Sequence, residues 1–164
     1  MDKRIGLLFD CLRAPYDASH IIQVAQSIGC CDIYLSGNSI DFNNYKIRSK
    51  VSSWGIEEYP HMVRYDCFEE AVLNLHGRGK YLVGTSPNVS DSFYDLDLSS
   101  GRDVLVFGTE SSGLTKKKMD LVDRVVALPM SPKCKFLTLP VVVPAMAYEV
   151  YRQIRRSGYG DFRR

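Results

Sequence analysis

The chain has 164 residues, 45% hydrophobic and 24% charged, with a formal net charge of +2. Length and composition fit one globular domain over residues 1–164 that buries a proper core, and exclude a disordered chain. So small a net charge excludes any case for nucleic acid from overall charge; such a case must come from where charges cluster. In chain order, residues 4–9 (RIGLLF) read as a buried strand. Residues 19–28 put Ile21, Ile22, Ala25 and Ile28 on one helical face before a stop at Gly29. A strand at 32–35 and a turn at 36–38 follow, then a helix over 43–53 and a weak strand at 61–64. Residues 67–75 read as a helix ending at Gly77, 81–83 as a strand and 86–92 as loop. Residues 103–107 (DVLVF) are the strongest central strand, followed by a Gly/Ser turn at 110–114 and a short helix at 116–122. The last strand is expected at 125–128 and the last helix at 141–154. Pro140 and Pro144 set that helix start, since each lacks a donor and crowds the preceding turn, which leaves 132–140 as an extended loop. Short apolar runs alternating with helical patterns predict an α/β fold, a mostly parallel sheet flanked by helices.

Cysteines 11, 30, 31, 67 and 134 are odd in number and form no C-x-x-C pair. They fit neither a disulfide framework nor a zinc site, so buried thiols, a reducing compartment and no metal are expected. Met1 to Arg4 lead into a short apolar strand unlike a signal peptide, and no apolar run approaches a membrane span. A cytoplasmic protein without membrane contact is the expectation. Basic residues do cluster, at Lys116 to Lys118, at Lys133 and Lys135, and in a tail with Arg152, Arg155, Arg156, Arg163 and Arg164. A solvated face and an RNA-facing surface both account for them.

The most informative stretch runs from Val106 to Leu114 (VFGTESSGL). An apolar strand ends at Gly108, where a missing side chain admits a ligand close to the backbone. The G-x-x-x-x-G spacing suggests a phosphate loop, yet Leu114 and Thr115 stand where Lys and Ser/Thr are needed. Glu110 stands where a nucleophile elbow requires serine. Nucleotide hydrolysis and serine acyl transfer are thus disfavoured, and a plain glycine turn is the remaining alternative.

Residues 107–114 meet every letter of F-G-x-E-x-x-G-L, and Leu128-Pro129-Met130 comes after them like an I-P-M. Ala147-Tyr148-Glu149 then matches a Y-E ending ahead of Arg152-Gln153. In these motifs the C-terminal third resembles the SPOUT superfamily of the SpoU type, a group of RNA 2′-O-ribose methyltransferases. The resemblance implies a deep C-terminal trefoil knot, S-adenosylmethionine as cofactor, a tRNA or rRNA partner, and a homodimer through the first and last helices. It places the cofactor against Val83, Gly84, Gly108, Leu128 and Met130, and against the backbone of Phe136 and Leu137. Apolar walls and a few main-chain groups suffice for an adenine. For the dimer, the apolar faces at Ile21, Ile22 and Ile28 and at Met146 and Val150 offer themselves, each able to be core instead.

The family's first motif, N-x-G-A-I-x-R-T-A, falls on residues 17–25 (DASHIIQVA), where Gln23 replaces the arginine credited with catalysis. Its third motif centre, S-L-N-x-S, reads FLTLP at 136–140. Glutamine carries no charge and lacks arginine's forked donors. A base for a ribose hydroxyl must then be sought in His20, Asp17 or Glu110, with His20 first because it shares a helical face with position 23 and a histidine suits that role near neutral pH. As ordinary helix-start residues, His20 and Asp17 need no such role, Asp17 serving as an N-cap. Two readings stand: an active RNA methyltransferase with an altered site, and a SPOUT domain that binds RNA without catalysis.

Overall fold

The computed structural model describes residues 3–109 and 112–158. Six strands, Ile5–Asp10 (β1), Cys31–Ser36 (β2), His61–Tyr65 (β3), Tyr81–Thr85 (β4), Asp103–Phe107 (β5) and Arg124–Val126 (β6), form one parallel sheet. Their order is β3-β2-β1-β5-β4-β6. β1, β2 and β5 are buried at every position, as strands covered on both faces must be. Successive side chains point to opposite faces, so each strand feeds two cores. Leu7, Phe9, Ile33, Leu105 and Phe107 pack under the helices Pro15–Ile28 (α1), Tyr45–Ser53 (α2) and Leu139–Arg156 (α5). Leu8, Tyr34, Val104 and Val106 pack on the other face against Phe68–Gly77 (α3) and the segment leading to Lys116–Met119 (α4). Phe9 and Phe107 stack across neighbouring strands with centroids 5.3 Å apart. Each buries a ring worth about 1.5–3 kcal/mol.

Several boundaries differ from the sequence reading for identifiable reasons. α1 starts at Pro15, four residues before the expected position, because proline's fixed φ suits a first helical position. Asp17 therefore lies inside the first turn, and Ala14 is the N-cap. α5 begins at Leu139 and contains both Pro140 and Pro144. Pro140 falls among the amides that have no intrahelical acceptor, so its missing donor costs nothing there. Pro144 deprives only the Pro140 carbonyl of its helical partner, a loss the helix tolerates one turn from its end. β6 stops at Val126, where Ala127 turns aside to bridge Ser92, and α4 stops at Met119. Ile21, Ile22, Met146 and Val150 are fully buried and Ile28 nearly so, in this chain's own core, which removes them as a surface for a partner. No described helix is long and apolar enough to cross a membrane.

Strand order also fixes where a ligand can enter. Chain order carries β1 to β2 on one side, while β5 and β4 lie on the other. A crevice opens outside the carboxyl ends of parallel strands where the order reverses in this way.

Candidate functional site

At the carboxyl ends of β4 and β5 lies a cavity of about 490 Å³, within the range of small-molecule sites. Thr85 and Ser86 come from the end of β4, and Phe107, Gly108 and Thr109 from the end of β5. Leu128, Met130 and residues 136–139 form the facing wall, and Val142 and Met146 of α5 close the floor. Asp17 enters from α1 and Met119 from α4. Among the described residues that line it, Asp17 is the only ionisable side chain. One carboxylate, with hydroxyl and amide side chains at Thr85, Ser86, Asn88, Thr109, Ser112 and Thr138 beside aliphatic and thioether walls, suits a ligand that joins a flat apolar ring to polar groups and a positive charge.

The turn after β5 is built by its own polar groups. Gly113 N–H donates to Thr109 O at 2.9 Å, and Ser112 N–H to Thr109 Oγ1 at 3.1 Å. The two hydroxyls meet at 2.8 Å. Gly113 holds φ 66°, a left-handed value that disfavours side chains. A Cβ on Gly108 would lie 2.0 Å from the Gly113 carbonyl carbon and 2.1 Å from Leu114 N. Gly108 is thus needed because the chain doubles back across it, which differs from the ligand approach that the sequence suggested. Thr85 Oγ1 donates to Val106 O at 3.0 Å and joins the two strand ends beneath.

Lys118 ties α4 to the sheet. Its Nζ lies 2.5 Å from Oδ2 of Asp10, a carboxylate only 2% exposed whose Oδ1 accepts from Ser36 Oγ at 2.9 Å. Burial disfavours the Lys118 ammonium, but the hydrogen bond and charge of Asp10 outweigh it, and its pKa is raised. The pair holds Met119 at the cavity wall. It also removes Lys118 from the freely solvated basic run that the sequence suggested.

Of the residues singled out from sequence, Gly108, Leu128, Met130, Phe136 and Leu137 meet around this cavity. Val83 and Gly84 lie within β4 outside the lining, with Gly84 packed against Val122 and Leu114. Glu110 falls outside the described residues. Gln23 is exposed on α1. The His20 ring sits between Tyr16 and Trp54, its Nδ1 at 2.9 Å from Tyr16 O, away from the cavity lining. Sequence reasoning missed Thr85, Thr109, Ser112, Met119 and Met146 as lining residues, and the Asp10–Lys118 pair. Only Asp10, a charge closing an apolar strand, offered a signal. No group of three or more His, Cys, Asp or Glu suited to a metal occurs among the described residues.

The model of the SpoU rRNA Methylase family matches residues 4–148. An uncharacterized tRNA/rRNA methyltransferase of Synechocystis is 25% identical over 150 residues, covering 92% of this chain and 54% of that protein. The SpoU methyltransferase AviRb from Streptomyces viridochromogenes, in complex with AdoMet, superposes with a TM-score of 0.79 at 27% identity, covering 96% of this chain and 63% of that one. A structure described as giving insights into the 2-OH methylation of C/U34 on tRNA superposes with a TM-score of 0.80 at 25% identity, over 94% of this chain and 98% of that one. This chain spans 54%, 60% and 58% of three curated relatives that it matches.

Proposed function

We propose, from the premise that this chain belongs to the SpoU rRNA Methylase family, that it is an S-adenosylmethionine-dependent 2′-O-ribose methyltransferase acting on tRNA or rRNA. The observation that carries this reading is the cavity lining at the strand ends, apolar walls joined by hydroxyl and amide side chains and a single carboxylate among its described residues. When bound, S-adenosylmethionine supplies an electrophilic methyl group on a positively charged sulfur. Leu114, Leu128, Met130 and Val142 provide apolar walls for its adenine, and the main chain at 136–137 provides polar contacts. On this reading Asp17, which lines the cavity, complements the positive charge and takes the ribose proton. It takes that assignment ahead of His20, whose ring packs between Tyr16 and Trp54 outside the cavity lining. Positioning of the hydroxyl against the methyl group then carries much of the rate.

On the same reading, residues 1–164 act as one domain, the C-terminal segment is threaded as a trefoil knot, one of the rare exceptions to unknotted folds, and two copies pair. The path supports the knot: the chain leaves β6 at one sheet edge, yet α5 packs on α1 and β1. The exposed, neutral Gln23 favours the second reading, an RNA binder without catalysis. Incubation with methyl-labelled cofactor and total RNA separates the two. Label at a ribose, with Asp17→Asn about 10²-fold slower or more, is the expected result. RNA binding without incorporation across a broad pool leaves the binder.

A further inference from the structure

On the outer surface between α1 and α2, four side chains form a continuous strip. Tyr16 is 63% exposed, and its ring centroid lies 4.3 Å from that of His20. His20 meets the edge of Trp54 at 5.1 Å, and Lys50 Nζ lies 5.4 Å from the Trp54 ring centre. Two helical rows explain the arrangement, because residues four apart are neighbours on a helix surface. Tyr16 and His20 make the aromatic row on α1, and Lys46, Lys50 and Trp54 make the row along α2 and its cap. Ile47 and Val51 hold α2 to the core, so Lys46, Arg48 and Lys50 face solvent. From residue 42 to residue 56 the chain carries no acidic residue. None of these three cations joins an ion pair among the described residues, unlike Lys118.

We propose that this strip is a binding track for single-stranded RNA, with bases stacking on Tyr16 and Trp54 and phosphates following Lys46, Arg48 and Lys50. The inference rests on the RNA-directed function proposed for the cavity. Tyr16 offers an exposed ring and the half-buried Trp54 the part of its ring that the core leaves open, beside cations without ion pairs, as an unstacked strand requires, since every base has a π-face and every phosphate a charge. The track also leads to the cavity, because Asp17, the residue after Tyr16, lines it.

Trp54 is the only tryptophan, so its emission reports on the strip directly. Titration of the full chain with a short oligoadenylate or oligouridylate is expected to quench Trp54 saturably, more strongly with adenylate, whose bases stack better. Tyr16→Ala, a change at an exposed position, is expected to weaken binding roughly tenfold. The double variant Lys46→Ser and Lys50→Ser is expected to flatten the slope of log affinity against log salt by about 1.4, the share of two phosphates on a single strand. RNA binding that leaves Trp54 emission unmoved and ignores both variants overturns the track. Emission that follows protein concentration instead of RNA overturns it too, and assigns the strip to a second copy of the chain. Ribose methylation that persists unchanged in both variants, with no Trp54 response, removes the track and leaves the methyltransferase standing. RNA-dependent quenching without cofactor binding or methylation upholds the track and removes the methyltransferase.

Discussion

Gly108 occupies a place where its own chain returns within bonding range of any added carbon. Gly108→Ala must therefore push away the turn that carries Thr109, Ser112 and Leu114, all of which line the cavity. The expected result is a cofactor affinity at least about tenfold weaker by calorimetry, with an unchanged far-ultraviolet circular dichroism spectrum. Retained affinity would show that the turn does not shape the site. The sequence points to this residue but not to the reason, because what crowds it is backbone five and six positions away. Asp10 and Lys118 show the same limit more sharply. Asp10 stands out as a charge closing an apolar strand, but Lys118 looks like ordinary surface charge, and the 108 positions between them leave no local pattern to announce their pairing. His20 stands at the opposite extreme. Its chemistry invites a catalytic role on paper, and only its packing against Tyr16 and Trp54 reveals a neighbourhood outside the cavity.

At the level of elements, α5 is held by a short relay. Gln153 Oε1 accepts from Leu98 N–H at 2.7 Å, while its Nε2 donates to Leu96 O at 3.2 Å and to Glu149 Oε1 at 2.9 Å. Arg152 grips Glu149 with two bonds of 2.7 Å. The Arg152 hydrogen bond, only partly opposed by burial, holds the Glu149 pKa below its ordinary value of 4.5. A lowered carboxylate pKa contributes stability that is fully present above 4.5 and is lost as pH falls through the lowered value. Thermal unfolding of the wild type should thus lose an increment on acidification below 4.5 that Glu149→Gln lacks. Gln153→Leu leaves the buried Leu98 amide without its partner and should cost about 1–3 kcal/mol at any pH. That is roughly 2–4 °C in Tm per kcal/mol. A Gln153→Leu variant as stable as wild type would refute the relay. β1, β2 and β5 can be read from apolar runs, because parallel strands buried on both faces leave little room for polar residues, whereas the edge strands β3 and β6 carry exposed Arg64 and Arg124 and read more weakly. Helix starts are less readable. Proline signals a boundary at both α1 and α5, but its tolerance within a first turn depends on partners that the local sequence does not display.

For the whole molecule, pairing of two copies must use residues that the core leaves outside. Val141 and Tyr148 on α5 are 51% and 45% exposed, and Phe136 beside the cavity is 63% exposed. A two-fold arrangement would set this patch against itself and bring two cavities close together. Light scattering at micromolar concentration is expected to give twice the chain mass, and Tyr148→Glu to return the single-chain mass; one chain mass for the wild type would exclude the pair. The sheet's layered plan is legible from sequence periodicity, whereas its strand order is not, since apolar runs do not say which run lies beside which. That order has a temporal side. β1 sits at the middle of the sheet, yet one neighbour, β2, comes at once while the other pairs Leu7 with Leu105. During synthesis from the amino terminus, β1, β2 and β3 can assemble early, and one edge of β1 then has to wait for β5. Pairings between such distant segments form slowly, and a waiting apolar edge is open to other chains. The protein's yield in a cell is therefore set by how quickly that edge is covered, and crowding of nascent chains will lower it before any loss of final stability does.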